Sequence, residues 1–120
     1  MPLKEMLKEI VDRVDGALSV MVMASDGIPV EEYCREDSGL DMQLFAVEYA
    51  TLLREVSRMV SMLDAGDLEE VSVSTASLRV ILRTVGSDLC LALVMECGGN
   101  FGKGRYLLKL RGTDVARELC

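Results

Sequence analysis

A chain of 120 residues, half of them hydrophobic, is the size of one domain and can bury a core of its own. Its 20 Asp and Glu against 13 Lys and Arg leave a formal charge of -7, which sets nucleic acid and anionic membranes aside as main partners. The absence of histidine removes His-based triads, Cys-His pairs and HExxH zinc sites together.

Pro2 suits a first helical turn, and Leu3, Met6, Leu7, Ile10, Val11 and Val14 recur at helical steps, predicting a short amphipathic helix that Gly16 ends. Lys4, Glu5, Lys8, Glu9, Asp12 and Arg13 form its solvated face. Ala17–Ala24 (ALSVMVMA) is apolar at nearly every position, so a central strand covered on both faces is expected. Ser25-Asp26-Gly27 supplies a hairpin turn, and Ile28–Cys34 returns as an edge strand because Pro29 cannot donate a ladder bond. After the polar loop Arg35–Gly39, Asp37 or Ser38 is placed to cap the next helix.

That helix, Leu40–Ala65, is the longest helical pattern and has more apolar surface than a single contact needs. Met42, Phe45, Ala46, Tyr49, Leu52, Leu53, Val56, Met59, Val60 and Leu63 share an arc of roughly 140°, enough to cover a sheet. Leu40, Leu44, Val47 and Met62 fall on the opposite, otherwise polar side. Ala46, Ala50, Ser57 and Ser61 form a neighbouring strip of small side chains, a spacing that admits a second helix. One reading is a helix with a few exposed apolar residues, which is common. The other is a helix that covers its own sheet on one side and a partner helix on the other.

Leu68–Thr75 (LEEVSVST) alternates Val71, Val73 and Thr75 with Ser72 and Ser74, the pattern of the other edge strand. Leu78–Val85 follows, then the turn Gly86-Ser87-Asp88 and a second all-apolar strand, Leu89–Met95, expected beside the first. Beyond Cys97 a helix carries Tyr106, Leu107, Leu110, Val115 and Leu119, broken or weakened by Gly112. The run Gly98–Gly104 lies where a phosphate-binding loop would sit, but its spacing fails the Walker A pattern and Gly104 replaces the magnesium-binding hydroxyl. A flexible start to the helix, open to a partner contact, is the expectation.

Cys34, Cys90, Cys97 and Cys120 show no CxxC spacing, which argues against a structural zinc site, and no cofactor or other metal is implied. Met1–Val14 has no apolar centre like that of a secretory signal, and the clean apolar runs of seven residues are too short to span a bilayer. A soluble, cytoplasmic protein with reduced thiols is expected, without membrane insertion.

The elements sum to an α+β fold: a five-stranded antiparallel sheet flanked by helices in the order α-β-β-α-β-β-β-α, as a single domain over residues 1–120. Gly16-Ala17-Leu18-Ser19-Val20-Met21, Asp26-Gly27-Ile28-Pro29, the Ala-containing amphipathic helix, the three-strand meander and Gly102-Lys103-Gly104-Arg105 together resemble the roadblock/dynein light-chain family. The likeness is greatest to its bacterial MglB-type members and extends over nearly the whole chain. The resemblance implies a roadblock/longin-like domain and a homodimer built through the central helix and the edge strand after it. It also implies a Ras-like small GTPase as partner, with hydrolysis stimulated by ordering the GTPase's own catalytic groups.

Interface candidates are Leu44, Ala46, Val47, Ala50, Arg54, Ser57, Arg58, Ser61 and Met62 on the helix, and Val71 and Val73 on the edge strand. Arg35, Arg54, Arg58, Arg79, Arg83 and Arg105 are the arginines weighed as charge donors to a GTPase, and none is nominated as catalytic. The alternatives are a non-catalytic dimeric scaffold for a GTPase or motor complex, and a thiol or small-ligand sensor using the Cys and Met content. An enzyme in its own right lacks any acid-base or nucleophile constellation.

Overall fold

The computed structural model describes residues 2–35, 38–86 and 88–119. Its elements are α1 (Leu3–Arg13), β1 (Ala17–Ala24), β2 (Pro29–Cys34), α2 (Met42–Met62), β3 (Glu70–Ser74), β4 (Leu78–Val85), β5 (Leu89–Glu96) and α3 (Phe101–Leu119), in the expected order. The strands form one antiparallel sheet, β2-β1-β5-β4-β3. The two all-apolar segments pair in its middle, with Val20 opposite Leu93 and Ala24 opposite Leu89. The Pro29 strand and the Ser-rich strand are its two edges.

Because successive side chains alternate across a sheet, two cores form. On one face Val20, Val22, Ile81, Leu91, Leu93 and Met95 pack with Leu7, Ile10 and Val11 of α1 and Leu107, Leu108 and Val115 of α3. On the other, Met21, Met23, Val80, Leu82, Ala92 and Val94 meet Met42 and Ala46 of α2. An ion pair joins the two helices of the first face, with Arg111 Nη2 donating to Glu9 Oε1 at 2.6 Å. The Arg111 guanidinium, and after it that of Arg13, holds the Glu9 carboxyl below its ordinary range.

The glycine-rich run is clamped where flexibility was expected. Gly16 has φ +85°, and a Cβ there would lie 2.5 Å from the Gly99 Cα, so only two bare backbones can meet at this point. Asn100 N donates to the Asp15 carbonyl and Glu96 N to the Gly16 carbonyl, each at 2.8 Å. Asn100 Oδ1 accepts from Lys103 N at 3.1 Å and caps α3. Gly112, expected to break or weaken that helix, does not break it: it lies buried within it, and the helix continues because Leu108 and Val115 anchor the turns on either side. Burial of those flanks outweighs a glycine propensity cost of about 1 kcal/mol.

The cap of α2 also differs from expectation. Asp41 Oδ1 accepts from Leu44 N at 3.1 Å. Asp37 lies outside the described residues, and Ser38 is occupied elsewhere, its Oγ 2.7 Å from Cys34 Sγ and accepting from Leu40 N at 3.4 Å. With 21 residues, α2 is about 31 Å long, more than the about 19 Å width of five strands or the about 26 Å of an eight-residue strand. It therefore overhangs. Its buried residues, Met42, Ala46 and Ala50, all lie in the first half, where Ser19 Oγ also donates to Met42 Sδ at 3.1 Å. Met59 and Leu63, expected on the covered arc, are 48% and 77% exposed because this end has passed the sheet.

Candidate protein-interaction surface

The small-residue strip of α2 divides into two parts with different uses. Ala46 and Ala50 are buried within the chain and receive the β1–β2 turn: a Cβ on Gly27 would sit 3.1 Å from the Ala50 Cβ and 3.3 Å from the Ala46 carbonyl oxygen. This surface is occupied by the chain's own hairpin, so it does not admit a second helix. Ser57 and Ser61 remain exposed and, with Val60, Leu68, Thr84 and Gly86, line an open groove of about 780 Å³ beneath the overhang.

Leu44, Val47, Arg54, Arg58 and Met62 recur at helical spacing and form one outward stripe, with Leu44 56%, Val47 58% and Met62 75% exposed. Adding Met59 and Leu63, α2 presents an apolar surface that this chain alone does not cover. Val71 and Val73 are half-buried on the same side of the sheet, because β3 pairs Val71 with Leu82 and Val73 with Val80. Among the described residues the outer edge of β3 carries no strand, since β4 is its one neighbour in the sheet.

Most of the arginines weighed as donors are engaged locally. Arg54 donates to the Ser25 carbonyl and Thr51 Oγ1, both at 3.4 Å, which ties α2 to the hairpin turn. Arg58 pairs with Glu55 at 3.1 Å and reaches Met62 Sδ at 3.2 Å. Arg35 donates to the Val11 carbonyl at 3.4 Å. Arg83 and Arg105 share Glu70 at 3.5 and 2.7 Å, while Arg79 lies over the Phe101 ring. The Asp41 cap had a local signal, an Asp directly before Met42 and the helical pattern, whereas the Arg79–Phe101 stack had none, as it depends on where α3 comes to rest against β4.

The sequence pattern of the Roadblock/LC7 domain matches residues 3–95, most of the chain. The chain belongs to the Roadblock/LC7 domain family. No curated protein matches the sequence. Among solved structures it is similar to MglC from Myxococcus xanthus, at 37% identity and a TM-score of 0.71, over 98% of this chain and 99% of that one. A Roadblock/LC7 domain from Streptomyces avermitilis overlays at a TM-score of 0.88 with 20% identity, over 99% of this chain and 98% of that one. The gliding protein MglB from Thermus thermophilus overlays at 0.85 with 16% identity, over 95% of this chain and 85% of that one. At such identities the last two establish the fold alone, and sequence likeness is greater to MglC than to this MglB.

In this Roadblock/LC7 domain the thiols sit in unlike surroundings. Burial pushes the Cys90 thiol up to about 12, whereas Cys34 and Cys97 are half-buried, and Cys97 Sγ lies 3.2 Å from the Ala76 carbonyl oxygen. Cys120 lies outside the described residues. Among the described residues, no helix is long and apolar enough to cross a membrane.

Proposed function

We propose that this Roadblock/LC7 protein is a homodimeric regulator of a Ras-like small GTPase, which it activates by ordering the GTPase's own catalytic groups. The observation that carries the reading is the overhanging half of α2 beside the open edge of β3. Met59, Met62 and the C-cap residue Leu63 stand exposed on the overhang, Leu44 and Val47 on the outer side nearer the start of α2, and each would contribute about 1.5–3 kcal/mol if fully buried against a partner. A two-fold contact uses one patch twice, so α2 meeting its copy and β3 extending into a second sheet would cover both features at once.

Arg54 and Arg58 make exposed local contacts on that stripe and neither is nominated as a charge donor, so the reading rests on positioning of the GTPase's own groups. Light scattering gives the assembly directly, and a dimer mass is expected. Phosphate release from a GTP-loaded small GTPase, with and without this chain, separates activation from tethering. Stimulated release supports an activator. Binding without stimulation favours the second reading, a dimeric scaffold for a GTPase or motor complex. A chain that stays monomeric at high concentration would overturn both.

A further inference from the structure

On the side of the sheet opposite α2, β3 turns Glu70, Ser72 and Ser74 outward, in register with Arg83, Ile81 and Arg79 of β4. Ser72 and Ser74 are exposed. Beside them stands Phe101, the first residue of α3, with the Arg79 and Arg105 guanidiniums 5.2 and 5.9 Å from its ring centroid. Glu70 accepts from Arg105 Nε at 2.7 Å and from Arg83 Nη1 at 3.5 Å. Arg83 and Arg105 thus share one carboxylate while Arg79 lies against the same Phe101 ring as Arg105, three guanidiniums to the one carboxylate paired with them, in a chain of formal charge -7. Arg79 has no carboxylate partner among the described residues.

Attraction to the phenyl ring holds both guanidiniums against Phe101, and of the two only Arg105 is ion-paired among the described residues. Glu70 accepts from both Arg83 and Arg105 but cancels only one of their two charges, so together with Arg79 two positive charges stay unbalanced. We infer that this cluster docks an extended acidic segment of a protein partner, with carboxylates taken by Arg79 and Arg105 and held in line by the Ser72 and Ser74 hydroxyls. Those hydroxyls are about 7 Å apart along the strand, the spacing of side chains on one face of an extended peptide and wider than helical neighbours. A guanidinium fork matches a carboxylate in two parallel hydrogen bonds. A lone phosphate would fill one fork and leave the hydroxyl row unused, and a long polyanion would run onto an acidic chain. The site lies on the face away from α2 and needs neither the dimer nor the GTPase proposed above.

The test is fluorescence anisotropy with a short labelled peptide alternating Glu and Thr, added to the full chain, wild type and Arg79→Glu. Saturable binding that weakens with added salt is expected for the wild type, and binding about tenfold weaker for Arg79→Glu at an unchanged melting temperature. Should Arg79→Glu melt early, Arg79→Gln carries the comparison. Light scattering on the same samples reports the dimer separately, so failure of the dimer reading is distinguishable from failure of this one. No binding by the wild type, equal binding by the folded Arg79 variant, or equal competition by pyrophosphate or a thymidine oligonucleotide would each overturn the inference.

Discussion

Gly27 at the tip of the β1–β2 hairpin rests on Ala50 of α2, so closely that a Cβ on the glycine would stand 3.1 Å from the alanine Cβ. The contact joins the hairpin to the first half of the helix and leaves the second half to overhang. It also decides which residues of α2 can report on assembly.

Ala50→Arg would force a charge into a site that is only 2% exposed, and a loss of about 3 kcal/mol or more in stability is expected. Ser57→Arg lies on the exposed groove, so the fold should keep its stability to within about 0.5 kcal/mol while the dimer is lost. Urea unfolding and light scattering on the two variants separate these effects. A Ser57→Arg chain that stays dimeric would place the contact elsewhere.

Gly16→Ala tests the clamp between the α1–β1 and β5–α3 loops. Its Cβ would collide with the Gly99 backbone at 2.5 Å in a left-handed conformation, φ +85°, so a loss of about 2 kcal/mol is expected by urea unfolding. Unchanged stability would mean the two loops part without cost.

Acid should loosen the α1–α3 face. Glu9, hydrogen-bonded first by Arg111 and then by Arg13, keeps its charge below the ordinary value of 4.5, so its contribution is present above that pH and fades as pH falls through the lowered folded value. Thermal melts of wild type and Glu9→Gln should therefore differ at neutral pH and converge under acid. Melting curves that stay equally far apart at all pH values would assign the effect to another group.

Cys90, pushed up to about 12 by burial, should resist iodoacetamide at neutral pH until denaturant is added. Cys34 and Cys97, half-buried, should react earlier in the folded chain. Mass spectrometry of the alkylated protein distinguishes them, and rapid native modification of Cys90 would revive the thiol-sensor reading.

Local patterns along the chain settle much about this protein. Continuous apolar runs mark β1 and β5 as central, Pro29 and the alternation of Val71 to Ser74 mark the edges, and helical periodicity locates α1, α2 and α3. These are properties of neighbours in the chain, so a sequence displays them. Periodicity sets the direction in which a side chain points, but it does not say where a helix ends relative to its sheet. Only the tertiary structure therefore shows that Ala46 and Ala50 are spent on the Gly27 turn and that Met59 and Leu63 overhang. The same holds for Arg111 with Glu9, and for Arg79, Arg105, Glu70 and Phe101, which β3, β4 and α3 bring to one edge. Such groupings follow from the register of distant strands and the docking of helices on them, and no stretch of the chain carries them alone.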